Sequence, residues 1–365
     1  MARLAVENNL TLTGLDGKMD RQKKTEPDFT RLRATLTRER LPDRLPIADG
    51  VDPEIKEEFL GTPIRDLKTY VRFRLEAGYD YAVLQIRGQP LADSTQIKIS
   101  KGILRAHTGE SHAAGAVSGI HDWKSFEAYP WIGAESAYYR DVDEASECMP
   151  DGMKLIVNVG PIFSGTWRCM GMETFSIACL EQPELVKAIV ENMGTVIVKI
   201  VEQTIQRDYV GGIWLGDDIA YTESLMVSPN FLRKHIFPFY KQIGHLCRKH
   251  DKVFIFHSDG TLKEVFEDLI ACGIQAIHPN EPAAMDIVEV KRQWGHKVSL
   301  IGNVDVDLLT RGTPEQVAQA TRYLIDNVAP GGGYALGSGH SVTKHVPMLN
   351  YRAMLDTVRE FGAIY

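Results

Sequence analysis

The chain of 365 residues lacks the marks of several large protein classes. It has no surplus of positive charge: 41 Lys and Arg stand against 48 Asp and Glu, a formal net charge of −7. Nucleic-acid binding needs a basic face, so that role is not expected. No run approaches the ~18 consecutive apolar residues of a membrane span, and no membrane association is expected. The first residues include Arg3, Glu7, Asp16 and Lys18 with no apolar core, unlike a secretory leader. Cysteine is scarce. Cys148, Cys169, Cys179, Cys247 and Cys272 are odd in number and show no CxxC spacing. They read as reduced thiols of a cytoplasmic protein. No glycine-rich dinucleotide fingerprint follows the first strand, and Gly337-Ser338-Gly339 is not followed by the GK[ST] of a phosphate-binding loop.

What the chain does have is a series of short apolar runs, each ending in polar residues. They are Gly212–Asp218, Val253–Gly260, Ile274–Glu281, Val298–Asp305 and Gly333–His340. A continuous apolar run suits a parallel strand buried on both faces. Further strands are expected at Leu45–Gly50, Tyr79–Gly88 and Lys154–Pro161, which makes eight. Between them lie helical patterns at 183–207, 229–250, 261–271, 286–294, 314–327 and 347–361. Ser228-Pro229 and Thr313-Pro314 each place a hydroxyl cap before a proline at the first helical position. Eight strands alternating with helices define an α/β fold, the (β/α)8 TIM barrel, whose chemistry sits at the carboxyl ends of the strands.

Residues 1–44 read as a polar N-terminal arm with one helix, Asp28 to Glu39, and 45–365 as a single barrel domain. Arg31, Arg33, Arg38 and Arg40 would line a solvated helix face or a subunit contact. Residues 89–150 break the strand–helix rhythm. Ile97–His107 alternates around Lys101-Gly102 as a hairpin would. The whole stretch is expected as an excursion over the barrel mouth, since long loops in compact domains commonly carry function.

The strand ends supply the candidate chemistry. His257 and Asp259 are two apart, so both side chains fall on one face of an extended segment. With His340 they could hold Zn²⁺, Fe²⁺ or Mn²⁺; alternatively His257 and Asp259 bond to each other or cap the next helix. His278 and Glu281 could do acid–base work, or form a turn through Pro279 to Pro282. Of the carboxylates Asp217 and Asp218, one is expected to face the pocket, with Asp218 favoured. Asp218, His278 and Glu281 are thus the catalytic candidates and His257, Asp259 and His340 the metal ligands. Asp49, Gln85, Asn158, Asp217, Asn303 and Asp305 are the expected substrate contacts.

In order along the chain, Gly160-Pro161, the His257 strand end, Gly302-Asn303-Val304-Asp305 and Gly339-His340-Ser341-Val342 before Val346-Pro347 and Asn350 resemble the uroporphyrinogen decarboxylase superfamily. The likeness runs from about residue 150 to the C-terminus and, more weakly, from 45 to 90. It implies one of two chemistries on a barrel: cofactor-free tetrapyrrole decarboxylation, or methyl transfer to or from corrinoid proteins or thiols, usually with zinc. The decarboxylases carry an arginine-rich Arg-Gln-Ala-Gly-Arg segment at the first strand. Here Leu45–Gly50 has no arginine, and Leu84-Gln85-Ile86-Arg87 has no clear match to their second-strand aspartate. The methyltransferase branch is the better likeness. Many of its members bind zinc with His-x-Cys on the fifth strand and Cys on the eighth, where this chain has His257, Asp259 and His340. Replacing thiolates by imidazole and carboxylate makes a harder site, suited to a methyl donor bearing oxygen or nitrogen.

The expectation is therefore a methyltransferase that demethylates a small methoxylated or methylamine-type substrate. The methyl would pass to a separate corrinoid protein, with zinc as the candidate metal and a homodimer as the candidate assembly. The alternative is a cofactor-free or metal-dependent decarboxylase or lyase acting on a small carboxylated substrate.

Overall fold

A computed structural model of the chain describes residues 26–86, 119–131, 133–137 and 139–363. Seven strands form one parallel sheet in sequence order: β1 (Tyr81–Ile86), β2 (Lys154–Val159), β3 (Val210–Gly216), β4 (Val253–His257), β5 (Ala276–His278), β6 (Ser299–Ile301) and β7 (Tyr334–Ala335). Helices follow the strands and cover the outside, so residues on both faces are buried, as for Leu155, Ile156 and Val157 in β2. The sheet curls into a TIM-barrel-like wall. Two adjacent glycines permit the packing at β3. A side chain on Gly212 would sit 2.8 Å from the carbonyl of Val253, and one on Gly211 would collide with the Phe29 ring.

The eighth strand, expected at Leu45–Gly50, is reduced to isolated parallel bridges, Ile47 to Leu336 and Val51 to Val342. On that side Ala48 N–H donates to Leu336 O at 2.8 Å and Leu336 N–H to Pro46 O at 2.9 Å. Toward β1, side chains bridge the gap. The Tyr70 hydroxyl donates to Val83 O at 2.6 Å and accepts from Val83 N–H at 3.1 Å. It thereby takes over the edge bonds that a neighbouring strand would make. Arg74 joins the two sides, donating from Nε to the Tyr70 hydroxyl and from Nη1 to Asp49 O, both at 3.1 Å. The Tyr81 hydroxyl accepts from Asp49 N–H at 3.1 Å.

The floor of the barrel is closed by the helix Phe29–Thr37, capped by Asp28, whose carboxylate accepts from Thr30 N–H. Phe29 N–H donates to Gly152 O, before β2, and Ser299 Oγ at the start of β6 donates to Thr35 O and Leu36 O. The arginines expected on a solvated face divide here. Arg31 is only 3% exposed and pairs with Asp43 and Asp80, each at 2.5 Å. Its burial follows from the docking of the helix, which turns that face onto the barrel floor.

The remaining helices fall close to their expected places, including Pro183–Thr204, Ile287–Trp294, Pro314–Asn327 and Met348–Phe361. Thr313 and Gln316 form a reciprocal capping box, and Ser228 accepts from Phe231 N–H. The expected hairpin at 97–107 lies outside the described residues. Of the excursion, short helices at Trp123–Ala128 and Arg140–Ala145 are described, and the amides of Gly119 and Ile120 donate to Cys169 O. Among the described residues no helix is long and apolar enough to cross a membrane.

Candidate active site at the carboxyl ends of the strands

Strand register decides which side chains share the barrel interior. Gln85 aligns with Asn158 and Asn158 with Trp214, while Gly216 aligns with His257 and His257 with His278. Trp214 points inward: its ring lies 5.0 Å from that of His278 and 6.4 Å from that of Tyr81. Side chains alternate along each strand, so Gln85, Asn158, Trp214, His257 and His278 line one interior surface.

At the mouth, His257 is the hub. Its Nδ1 meets His278 Nδ1 at 2.7 Å. Its Nε2 lies 3.6 Å from Asp218 Oδ1 and 4.0 Å from Asp259 Oδ1. Asp259 Oδ2 in turn is 3.1 Å from His340 Nε2. His257, Asp259 and His340 each offer a ligand atom within 4.8 Å of the other two. Zinc with nitrogen and oxygen ligands holds them at about 2.0–2.2 Å, so the donor atoms already lie near one ion's shell. The donor set is chemically suitable. The second nitrogen of His257 is held by His278, and that of His340 by Ser341 Oγ at 2.9 Å, the outer support metal-binding imidazoles usually have. The hydrogen bond to Asp259, reinforced by the charges of Asp259 and Asp218 against the cost of burial, raises the His340 pKa to about 9.

Several expected site residues do other work. Asp217 is 1% exposed and turned away from the pocket. It accepts from the amides of Ile162, Phe163 and Ser164 and from the Tyr240 hydroxyl at 2.7–2.9 Å, which anchors the start of helix Phe163–Met170. Burial raises its pKa in spite of those four donors. Asp218 is the one that faces the mouth, 33% exposed. Asp49 is buried and accepts from the amide and hydroxyl of Ser338, tying the first segment to the last strand. Burial pushes its pKa up to about 7. Asn303 is buried, donating to Asn280 O, and Asp305 caps helix Val306–Arg311 through the amides of Asp307 and Leu308. All four already hold structural hydrogen bonds, Asp49, Asp217 and Asn303 within the buried wall and exposed Asp305 at a helix cap. Glu281 accepts from Gly260 N–H at 2.7 Å and so braces the loop after β4. His278 is 2% exposed and stands behind His257, which it meets at Nδ1.

The sequence reading missed Arg168. Its Nη2 lies 3.8 Å from Asp218 Oδ2, on the side away from His257. The signal was available: in the helix Phe163–Met170, Phe-Ser-Gly-Thr-Trp-Arg-Cys-Met, it is the only charged residue. Ser341, the support for His340, was also missed. It was legible only as a neighbour in sequence.

Residues 120–361 match the uroporphyrinogen decarboxylase (URO-D) family. The chain belongs to that family, which makes it a member of an enzyme superfamily built on this barrel. Among curated relatives, a uroporphyrinogen decarboxylase of Pseudoalteromonas translucida is 31% identical over 130 residues, covering 34% of this chain and 35% of that protein. One of Shewanella halifaxensis is 33% identical over 81 residues, 22% of this chain and 23% of that protein. The matched segment is thus about a third or less of each relative. A solved structure, a methyltransferase from Methanosarcina mazei, superposes with a TM-score of 0.66 at 15% identity, covering 91% of this chain and 98% of that one. At that identity the likeness bears on the fold.

Proposed function

We propose that the mouth of the barrel is a metal-assisted methyltransferase site. It would demethylate a small methoxylated or methylamine-type substrate and deliver the methyl group to a separate corrinoid protein. The observation that carries this reading is the convergence of His257, Asp259 and His340 from β4 and the end of the barrel wall onto one point. A bound zinc would polarise the substrate heteroatom as a Lewis acid. The protein's own part follows from the geometry. His278 fixes the His257 ring so that Nε2 points to the mouth. His340 gives up its proton when it takes up a ligand role, because a metal binds the neutral imidazole. Asp218, beside His257 and partly exposed, is placed to exchange a proton with the departing heteroatom. In the transfer the electron pair of the methyl–heteroatom bond stays on the heteroatom, which takes a proton. A reduced corrinoid would supply the electron pair for the new bond to the methyl carbon. Imidazole and carboxylate donors favour an oxygen or nitrogen donor over a thiol.

The decarboxylase alternative draws its support from curated relatives, among them the uroporphyrinogen decarboxylases of Pseudoalteromonas translucida and Shewanella halifaxensis. Against it, the segment 45–50 that would carry the arginines instead contributes a buried aspartate to the wall. Elemental analysis beside a His257→Ala variant separates the two. About one equivalent of zinc, lost in the variant, with methylcobalamin formed from methoxylated or methylamine donors and cob(I)alamin, supports methyl transfer. No metal, no methyl transfer and carbon dioxide released from a carboxylated substrate would establish the lyase.

A further inference from the structure

Arg168 and Trp167 have no role in the chemistry above, yet they stand at its edge. Both belong to helix Phe163–Met170, whose start Asp217 anchors. Arg168 Nε and Trp167 Nε1 are buried and have no hydrogen-bond acceptor among the described residues. A buried donor without an acceptor is destabilising by roughly 1–3 kcal/mol, and native proteins rarely leave two side by side. The guanidinium carbon lies 5.2 Å from the Trp167 ring centroid. Its nearest carboxylate, Asp218 Oδ2, is 3.8 Å away, close enough to attract but too far for a hydrogen bond. Asp218 thus holds the partly exposed guanidinium at the mouth without taking a hydrogen bond from it, and Nε is left without an acceptor among the described residues. Asp218 Oδ1 faces His257 and Oδ2 faces Arg168, so the metal-ligand cluster and the cation are separated by a single carboxyl group.

We propose that Arg168, with the Trp167 indole beside it, is a subsite for a carboxylate carried by the substrate. The donor would then be a small methoxy- or N-methyl-carboxylic acid. This rests on the methyltransferase reading for the methyl end of the molecule, but the carboxylate end rests on Arg168 and Trp167 alone. A single planar guanidinium matches a carboxylate through two parallel N–H bonds. A phosphate dianion fits poorly, because Asp218 and Asp259 lie on the same rim and would repel its second charge. The subsite also orients the substrate, with the acid end on the helix after β2 and the methyl-bearing end toward His257, Asp259 and His340.

The test is a titration of the full chain, labelled with ¹⁵N at tryptophan. The probes are acetate, benzoate and 4-methoxybenzoate, against acetamide, benzamide and 4-methoxybenzamide. The Trp167 indole resonance, identified by Trp167→Phe, reports on the site. At least one acid is expected to shift it saturably and bind about tenfold or more tighter than its amide, a difference of about 1.4 kcal/mol. Arg168→Gln removes the preference and Arg168→Lys retains part of it. The proposal is overturned if no acid shifts the resonance, if amides match their acids, or if Arg168→Gln leaves the preference intact. The wild-type comparison of acid with amide stands even if a variant fails to fold. None of these readouts needs metal, corrinoid or turnover. Loss of the methyltransferase reading with the acid preference intact would therefore confirm the subsite and reassign its substrate.

Discussion

Tyr70→Phe tests the claim that side chains, in place of a strand ladder, close the barrel. The substitution keeps the ring, which is buried, and removes one oxygen atom. That oxygen has three partners: Val83 O, Val83 N–H and Arg74 Nε, at 2.6, 3.1 and 3.1 Å. All of its hydrogen-bonding capacity is in use, so phenylalanine strands two backbone groups and one guanidinium donor at once. Each stranded buried group costs about 1–3 kcal/mol. The three are coupled and partly recoverable by relaxation, so the expected loss is on the order of 3–5 kcal/mol. Tyr79→Phe is the matched control. The Tyr79 hydroxyl meets the hydroxyl of Tyr351 at 3.0 Å, so its removal is expected to cost only about 1 kcal/mol. Urea denaturation gives the free energies from midpoint and slope, and hydrogen exchange at the Val83 amide gives the local effect. A loss under about 1 kcal/mol for Tyr70→Phe, or an unchanged Val83 exchange rate, would refute the side-chain closure.

Three further outcomes follow. His278→Ala frees the His257 ring from its Nδ1 partner and is expected to weaken zinc binding by about 10–100-fold in a chelator competition, as loss of outer support commonly does; unchanged affinity would show that His278 does not position its neighbour. Lys56 is 5% exposed, and burial, with the nearby Arg74, lowers its pKa to about 7 against weaker pulls from Asp52 and Glu54. At Lys56 the unfolded chain therefore binds more protons than the folded one above pH 7, and the Lys56 contribution to stability should rise between pH 7 and 9 by on the order of 1 kcal/mol per unit, against the opposite slope from His340 with its pKa raised to about 9. A Lys56→Met variant should lose that slope in urea titrations, and equal slopes would remove Lys56 as its source. Asp217→Ala leaves the amides of Ile162, Phe163 and Ser164 without their acceptor and is expected to destabilise by roughly 3 kcal/mol or more. A near-neutral change in thermal or urea unfolding would show that helix Phe163–Met170 does not depend on it.

The sequence by itself carried the parallel strands, because apolar runs flanked by helical periods have few other ways to bury both faces. It also carried His257 and Asp259 on one face, since that needs only the two-residue repeat of a strand end, and His340 as their partner from the last strand. It favoured Asp218 over Asp217 as the one facing the pocket but did not decide between them. Adjacent residues point to opposite sides, and the choice waits on the parity of Trp214 and Gly216, which the assembled sheet sets. The pairing of His278 with His257, the burial of Arg31 and the approach of Arg168 to Asp218 likewise waited on the tertiary structure. Each joins segments brought together by register or helix docking. The weak first strand is the clearest case. Leu45–Gly50 reads as a strand, yet its edge toward β1 is completed by Arg74 and Tyr81, and the facing edge of β1 by Tyr70. A backbone's hydrogen-bonding capacity is local, whereas the partner that satisfies it is a property of the closed barrel.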